Sequence, residues 1–270
     1  MENILKKLPQ KPRANSLYKT LIYIVVISLV IWGFSGIQYN GIMQTARGEI
    51  SDMLNGFLNL DTVYLTSFEA DALVSLPYAI VETIAIAICG TFVSGILAIP
   101  FALMASQNIV GQKTANFGKF IITMIRTFPE LILALVFIGV VGPGAPAGIL
   151  ALGVHSIGML GKLYSEAIES MDIGVKEGVE SCGGNSSEVL FRAVLPQVAP
   201  EFLSYTLFRF EINMRAATIL GLVGAGGIGA PLIFAIVSRN WSRVWVIVLA
   251  LIVTVTIIDL ISSSIRKKLV

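Results

Sequence analysis

Residues 208–230 read FRFEINMRAATILGLVGAGGIGA, and the interpretation of this stretch decides the fold. Gly224, Gly226 and Gly229 carry the G-x-G-x-x-G spacing that cradles a pyrophosphate in dinucleotide-binding α/β domains. That fingerprint requires a strand before it, a helix after it and an acidic residue about 20 positions on. Here the preceding residues, Phe208–Leu220, read as a membrane helix and not as a strand. No Asp or Glu lies near position 250; the next acid is Asp259, inside another apolar run. The glycines are therefore expected to end a helix and fold the backbone tightly between two spans.

The rest of the chain agrees. Of 270 residues, 55% are hydrophobic and 13% charged, and the mean hydropathy is +0.82. Soluble domains carry about 25% charge, so this chain has too few charges to coat a globule. A polytopic membrane protein follows, all-α, because a lone helix satisfies its backbone within the bilayer. The net charge of +2 points to no nucleic-acid partner. Cys89 falls in an apolar run and Cys182 in a polar loop, a distribution that suggests neither a disulfide nor a metal site.

Apolar runs place about six transmembrane helices, roughly at 20–36, 77–105, 118–141, 146–166, 199–222 and 243–264. The first follows a basic start (Lys6, Lys7, Lys11, Arg13, Lys19) and lacks an A-x-A cleavage site, so it reads as an uncleaved anchor. With the N-terminus inside, inner segments also hold Lys113, Lys119, Lys162, Lys176, Arg192, Arg266, Lys267 and Lys268. Outer segments hold only Arg47, Arg239 and Arg243. This thirteen-to-three split predicts that both termini are cytoplasmic and that the polar segment 37–76 is outside. Two parts result: 1–76, with the basic tail, the anchor and the extracytoplasmic segment, and 77–265, the transmembrane domain.

The inner loop VKEGVESCGGNSSEVLFRAVLPQV is too long for a turn. Ser186 or Ser187 can cap a helix, Glu188 suits its first turn, and Pro196 ends the run. Val189, Leu190, Ala193 and Val194 form an apolar stripe on that helix. Two destinations stand for it: the protein's own bundle, or a groove on a cytoplasmic partner.

This loop resembles the signature of ABC-importer permeases: E-A-A, three residues, G, nine residues, I-x-L-P. Glu177, Gly178 and Val179 stand at E-A-A, Gly183 at the glycine, Ala193 at the isoleucine, and Leu195–Pro196 at the end. The two alanines and the isoleucine are replaced, while the glutamate, the glycine and the L-P keep their spacing. VETIAIAICGTFVSGILAIPFALMASQN, RTFPELILAL, HSIGMLGKLYSEAIE and FRFEINMRAATILGLVGAGGIG are similar to successive parts of the phosphonate-type branch. The resemblance covers roughly 77–265 and implies a type I ABC-importer permease with a methionine-importer-like core. It further implies that loop 174–197 docks an ATPase subunit. The partners implied are ATPases inside, a solute-binding protein outside, and a second permease copy or a sister permease. The substrate class implied is phosphonate, phosphate or phosphite, with methionine or another small solute as the alternative, because the glycine motif is shared with methionine importers.

Charges inside spans are costly and usually face the bundle interior or a watery path. Arg126 and Glu130 are i, i+4 on the third span, with Pro129 as a kink between them. Glu211 and Arg215 repeat that spacing on the fifth span, and Arg209 lies off their face without an evident partner. His155, Met159, Lys162 and Glu166 follow one stripe of the fourth span. Arg126, Glu130, His155, Arg209, Glu211 and Arg215 are thus candidates for a translocation path, with helix packing as the competing role for each pair. There is one histidine, no Walker loop G-x-x-x-x-G-K-[ST] and no Cys/His cluster. No catalytic set, metal or cofactor is expected in this chain, so ATP and Mg would belong to a separate ATPase. An ion-coupled secondary transporter would show internal repeats, and none stands out. A membrane enzyme would need an interfacial acid cluster, which is not evident.

Overall fold

The computed structural model describes residues 16–36 and 42–269. The basic residues Lys6, Lys7, Lys11 and Arg13, and residues 37–41 of the polar segment, lie outside the described residues. Every regular element among the described residues is helical. In chain order these are α1 (Ser16–Ser35), α2 (Ile42–Leu58), α3 (Thr62–Thr66), α4 (Leu76–Ala105) and α5 (Gln107–Val110). Then come α6 (Gln112–Thr127), α7 (Glu130–Val141), α8 (Ala145–Ser170), α9 (Ile173–Ser181) and α10 (Ser186–Val189). A π-helical turn (Leu190–Val194) leads into α11 (Leu195–Leu222), followed by α12 (Gly229–Val237) and α13 (Trp241–Leu269). Contacts separate residues 1–52 from residues 53–270. In the first unit, Tyr18–Ser35 of α1 is long and apolar enough to cross a membrane.

In the second unit α4, α8 and α13 meet the same criterion. The expected single span at 118–141 is instead two helices, α6 and α7, bent by 77°. Proline explains the break: it has no N–H to donate, and its ring forces Phe128 into an extended conformation (φ −74°, ψ 123°). α11 has 28 residues, enough length to span, but Glu201, Arg209, Glu211 and Arg215 keep it below an apolar span's composition. It is tolerated because Arg209, Glu211 and Arg215 find partners on neighbouring helices.

α4 and α8 pack along each other most extensively. Small residues make this possible: a Cβ on Gly90 would sit 3.0 Å from the Leu152 Cβ. Ala87, Ala98, Ala102, Ala151 and Gly153 are buried alongside. Close backbone approach supplies the dispersion contacts that replace the hydrophobic effect in lipid. α6 presses on α4 at Gly118, where a Cβ would lie 2.6 Å from the Met104 carbonyl oxygen.

At one end of the bundle the glycine stretch does what the sequence predicts. Gly224, Gly226 and Gly227 have φ of 94°, 82° and 76°. Ala225 N–H donates to Leu220 O (3.1 Å) and Gly224 N–H to Gly221 O (3.0 Å), closing the end of α11. The turn is stitched to its surroundings: Gly144 N–H donates to Gly224 O, and Ile228 N–H to the Thr83 hydroxyl. Residues 53–75 cover the adjoining start of α13. Arg243 reaches the Asp61 carboxylate (3.0 Å) and lies 4.8 Å over the Tyr64 ring. The Tyr64 hydroxyl donates to Ala72 O, and burial pushes its pKa up to about 12.

Candidate functional site

Two places collect the residues singled out above. The first is the segment 173–197. α9 starts on Asp172, whose carboxylate accepts from Gly174 N–H (2.9 Å). It closes at a glycine pair, where Gly183 N–H bonds Glu180 O and Gly184 N–H bonds Val179 O. Gly183 has φ +83°, which is why glycine stands there. The next helix is capped by Asn185 and not by Ser186 or Ser187. Asn185 Oδ1 accepts from Glu188 N–H, and Glu188 Oε2 from Asn185 N–H, both 2.9 Å. An amide one residue earlier reaches the N3 donor, and both serines are left in the first turn.

Pro196 does not end this helix. It sits in the first turn of α11, directly after the π-turn. Leu195 N–H reaches back five residues to Leu190 O, and this widened turn makes room for a proline in an otherwise continuous helix. The Gln197 side chain donates to the Ala193 carbonyl (3.1 Å). The apolar stripe goes to the protein's own bundle. Val189, Ala193 and Val194 are buried against Ala98, Ala102, Leu160, Tyr164 and Ile168, with Leu190 packed beside them. The outward face holds Glu177, Gly178, Gly183, Arg192, Pro196 and the 67%-exposed Phe191, while Val179 and Leu195 are half-buried. Lys176 Nζ donates to Asn108 O (2.6 Å), and Asn108 Nδ2 to Ile168 O (2.6 Å), so the segment is tied to the spans.

The second place lies at the break between α6 and α7. The expected shared face of Arg126 and Glu130 does not exist, because the two residues stand on different helices. Glu130 instead approaches Arg209 on α11, with Oε2 3.9 Å from Nη2. Arg209 is 3% exposed and has partners that its own helix could not reveal. Its Nε donates to the Ser156 hydroxyl (2.8 Å) and its Nη1 to Met159 Sδ (3.0 Å), both on α8. Asn213, one turn beyond Arg209, is fully buried and donates to Thr91 Oγ1 (2.8 Å) and Ser156 Oγ (3.0 Å). Ser156, Asn213 and Thr91 were not anticipated. The available signal was an asparagine four residues after an in-span arginine, where a buried amide needs partners. His155 Nδ1 lies 3.1 Å from Phe128 O, at the break itself. Arg126 is exposed and forms no hydrogen bond or ion pair among the described residues.

The expected Glu211–Arg215 pair is present at 3.1 Å, and the fold extends it. Arg215 also meets Asp259 (2.8 Å), and Arg266 meets Glu211 (3.1 Å). Two acids and two arginines thus bind α11 to α13, and the formal charges cancel. Arg215 keeps 46% side-chain exposure. At membrane depth such a charge faces water or protein rather than lipid. Below Met159 the stripe of α8 continues in a Lys162–Glu166 pair (3.4 Å). That pair lines a cavity of about 240 Å³ with Lys119, Ser165 and Glu169. Among the described residues no cluster of His, Cys, Asp and Glu could hold a metal.

Comparison with known proteins places this geometry. A family model described as the binding-protein-dependent transport system inner membrane component matches residues 98–270. The phosphite transport system permease protein PtxC of Stutzerimonas stutzeri is 37% identical over 189 residues, 70% of this chain and 69% of that protein. The phosphate-import permease protein PhnE of Mycolicibacterium smegmatis is 40% identical over 69% of this chain, but the match spans only 35% of that protein. The putative cryptic phosphonate transport system permease protein PhnE2 of Escherichia coli K12 is 45% identical over 44% of this chain and 97% of its own length. Among solved structures, a chain of the inward-facing MetNI methionine ABC transporter superposes with a TM-score of 0.66. The alignment covers 76% of this chain and all of that one at 19% identity, which shows a shared fold. The chain is a membrane protein and belongs to the family of binding-protein-dependent transport system inner membrane components.

Proposed function

We propose that this chain is the transmembrane permease subunit of an ATP-driven importer for a phosphorus oxyanion: phosphonate, phosphite or phosphate. The observation that carries the reading is the 37–45% identity to permeases named for those three substrates. The site supports it chemically, because an anion crossing a low-dielectric core needs positive charge nearby. Arg126, in the last turn of α6, and Arg209 of α11, beside the start of α7, supply that charge, while Arg215 is neutralised by Glu211 and Asp259. The path thus comprises Arg126, Glu130, His155, Arg209, Glu211 and Arg215, with the last pair on its margin as helix glue.

Coupling falls to Glu177, Gly178, Val179, Gly183, Leu195 and Pro196. Their outward face is free to meet an ATPase, and their inward face is fixed to α4 and α8. ATP and Mg belong to that ATPase, and no cofactor belongs to this chain. A solute-binding protein delivers substrate at the opposite end. Two permeases, identical or sister chains, enclose the path.

Uptake by cells in which this permease and its partner genes are the sole phosphorus importer tests the substrate. Labelled methylphosphonate, phosphite or phosphate should accumulate in an ATP-dependent manner, and methionine should not compete. Methionine uptake with no phosphorus uptake would instead favour the methionine alternative. Accumulation that persists without the ATPase would favour an ion-coupled carrier.

Orientation has its own test. With Cys89 and Cys182 replaced by serine, Ser67→Cys should react with a membrane-impermeant thiol reagent added outside. Ser186→Cys should react only after the membrane is opened. The reverse pattern would overturn the placement of both termini in the cytoplasm, and with it the coupling loop.

A further inference from the structure

The break at Phe128–Pro129 presents the start of α7 in the middle of the bent α6–α7 pair, which together is long and apolar enough to cross a membrane. Pro129 stands at its N-cap and offers no side-chain acceptor to the first-turn N–H groups. A half-helix N-terminus inside a bilayer carries partial positive charge and suits an anion. A helix end alone does not make a site, and Arg209 is the independent second feature. It is 3% exposed, with Nε and Nη1 committed to Ser156 and Met159. Its Nη2 is buried with no hydrogen bond at all. The nearest opposite charge is Glu130 Oε2 at 3.9 Å, beyond hydrogen-bond reach.

Two cationic features, the α7 terminus and Nη2, therefore converge on one carboxylate that satisfies Nη2 incompletely. A buried donor left unmade is costly, and so is a buried charge held at arm's length. Glu130 keeps 28% side-chain exposure, so it has room to turn away. Arg126, at the facing end of α6, is exposed and without a partner among the described residues.

We propose that the break is an oxyanion subsite of the path and that Glu130 is its resident counter-ion. The carboxylate stands at Arg209 Nη2 between transport cycles. A tetrahedral phosphorus oxyanion displaces it during passage, and the carboxylate, 28% exposed, turns out toward solvent. The substitution of one anion for another keeps Arg209 compensated throughout. It also keeps the site weak, because each arriving oxyanion must compete with a tethered carboxylate, and a weak site releases what it binds. The subsite rests on the phosphorus-oxyanion reading of the substrate.

The experiment uses the complete transporter, permease with ATPase and binding protein, in proteoliposomes. Leu131→Cys, in the Cys89→Ser, Cys182→Ser background, places a thiol in the first turn of α7. Inorganic phosphate and methylphosphonate should slow its labelling, whereas chloride at equal ionic strength should not. Adding Glu130→Gln should lower the protecting concentration roughly tenfold, as expected when a charged hydrogen bond is no longer contested. In the same variant uptake should fall while ATP hydrolysis continues to respond to the binding protein.

Labelling that neither oxyanion slows, in a transporter that imports phosphorus, overturns the subsite and leaves the substrate reading standing. Equal protection by chloride overturns it as mere screening. If the unaltered transporter imports no phosphorus oxyanion, the substrate reading fails and the subsite fails with it. Should Glu130→Gln not accumulate, protection of Leu131→Cys with Glu130 intact decides the question.

Discussion

Gly229→Val is expected to remove folded protein from the membrane. A Cβ at Gly229 would fall inside van der Waals contact with Thr218 O and 2.7 Å from Gly221 Cα and C. The neighbouring position is as crowded: a Cβ on Gly221 would stand 2.6 Å from Gly226 O. All of these obstacles are backbone, so no flexible side chain can yield. The end of α11 and the start of α12 meet main chain to main chain, and the Ala225 carbonyl presses equally on Gly148 of α8, at 2.5 Å from a Cβ there. Overpacking a core commonly costs about 1–3 kcal/mol, and rigid backbone on both sides puts this case above about 3 kcal/mol. Thermal unfolding of detergent-purified protein, with the monodisperse yield, measures the effect. Gly139→Ala on α7 is the control, since a Cβ there meets nothing within 4 Å, and it should behave as the unaltered chain does. A Gly229→Val protein that accumulates and melts normally would mean that the turn rebuilds itself and that its glycines are dispensable.

Gly183→Arg should leave the protein in the membrane and abolish uptake. Gly183 has φ +83°, and a side chain there meets nothing within 4 Å. A non-glycine residue in that conformation costs roughly 1–2 kcal/mol, a local penalty at the exposed end of a short helix. The buried contacts of the segment, made by Val189, Ala193 and Val194, lie elsewhere and stay intact. A long cation would project from the face proposed to meet the ATPase. Uptake loss with normal abundance and loss of ATPase co-purification is the expected result. Gly183→Asn, smaller and more at ease with positive φ, should retain part of the transport. Normal uptake and co-purification in the arginine variant would show that docking lies elsewhere.

The two segments differ in how plainly their sequences spoke. At 221–230 the membrane-helix character of the preceding stretch and the missing acid excluded a nucleotide loop, and the turn fell where expected. At 186–197 the helix and its stripe were legible from spacing, but the destination of the stripe was not. An apolar stripe records that burial is needed and carries no address. Phe191, outside the stripe, stays exposed. Pro196 misled for a related reason. Its rule assumes an α-helical hydrogen-bond ladder, and the π-turn at Leu190–Val194 relaxes that ladder just ahead of it.

The intramembrane charges show the same limit. Spacing along one helix correctly paired Glu211 with Arg215, because an i, i+4 contact is local. The same spacing wrongly paired Arg126 with Glu130, because Pro129 turned the chain by 77° between them. Nothing local could join Arg209 to Ser156, 53 positions earlier, or Arg266 to Glu211, 55 positions earlier.

The sequence by itself determined that the chain is helical and built for a membrane. Composition and apolar run length are one-dimensional quantities, and a bilayer accepts little else. It also determined that the backbone turns tightly at 221–230, because glycine acts on its own dihedral angles. Only the tertiary structure decided which charges compensate one another, which face of the 173–197 segment remains outward, and that a broken helix rather than a continuous one faces Arg209. Those outcomes depend on which helices become neighbours, and that is set by the close fit of small residues along α4 and α8, where a single Cβ at Gly90 would crowd the contact.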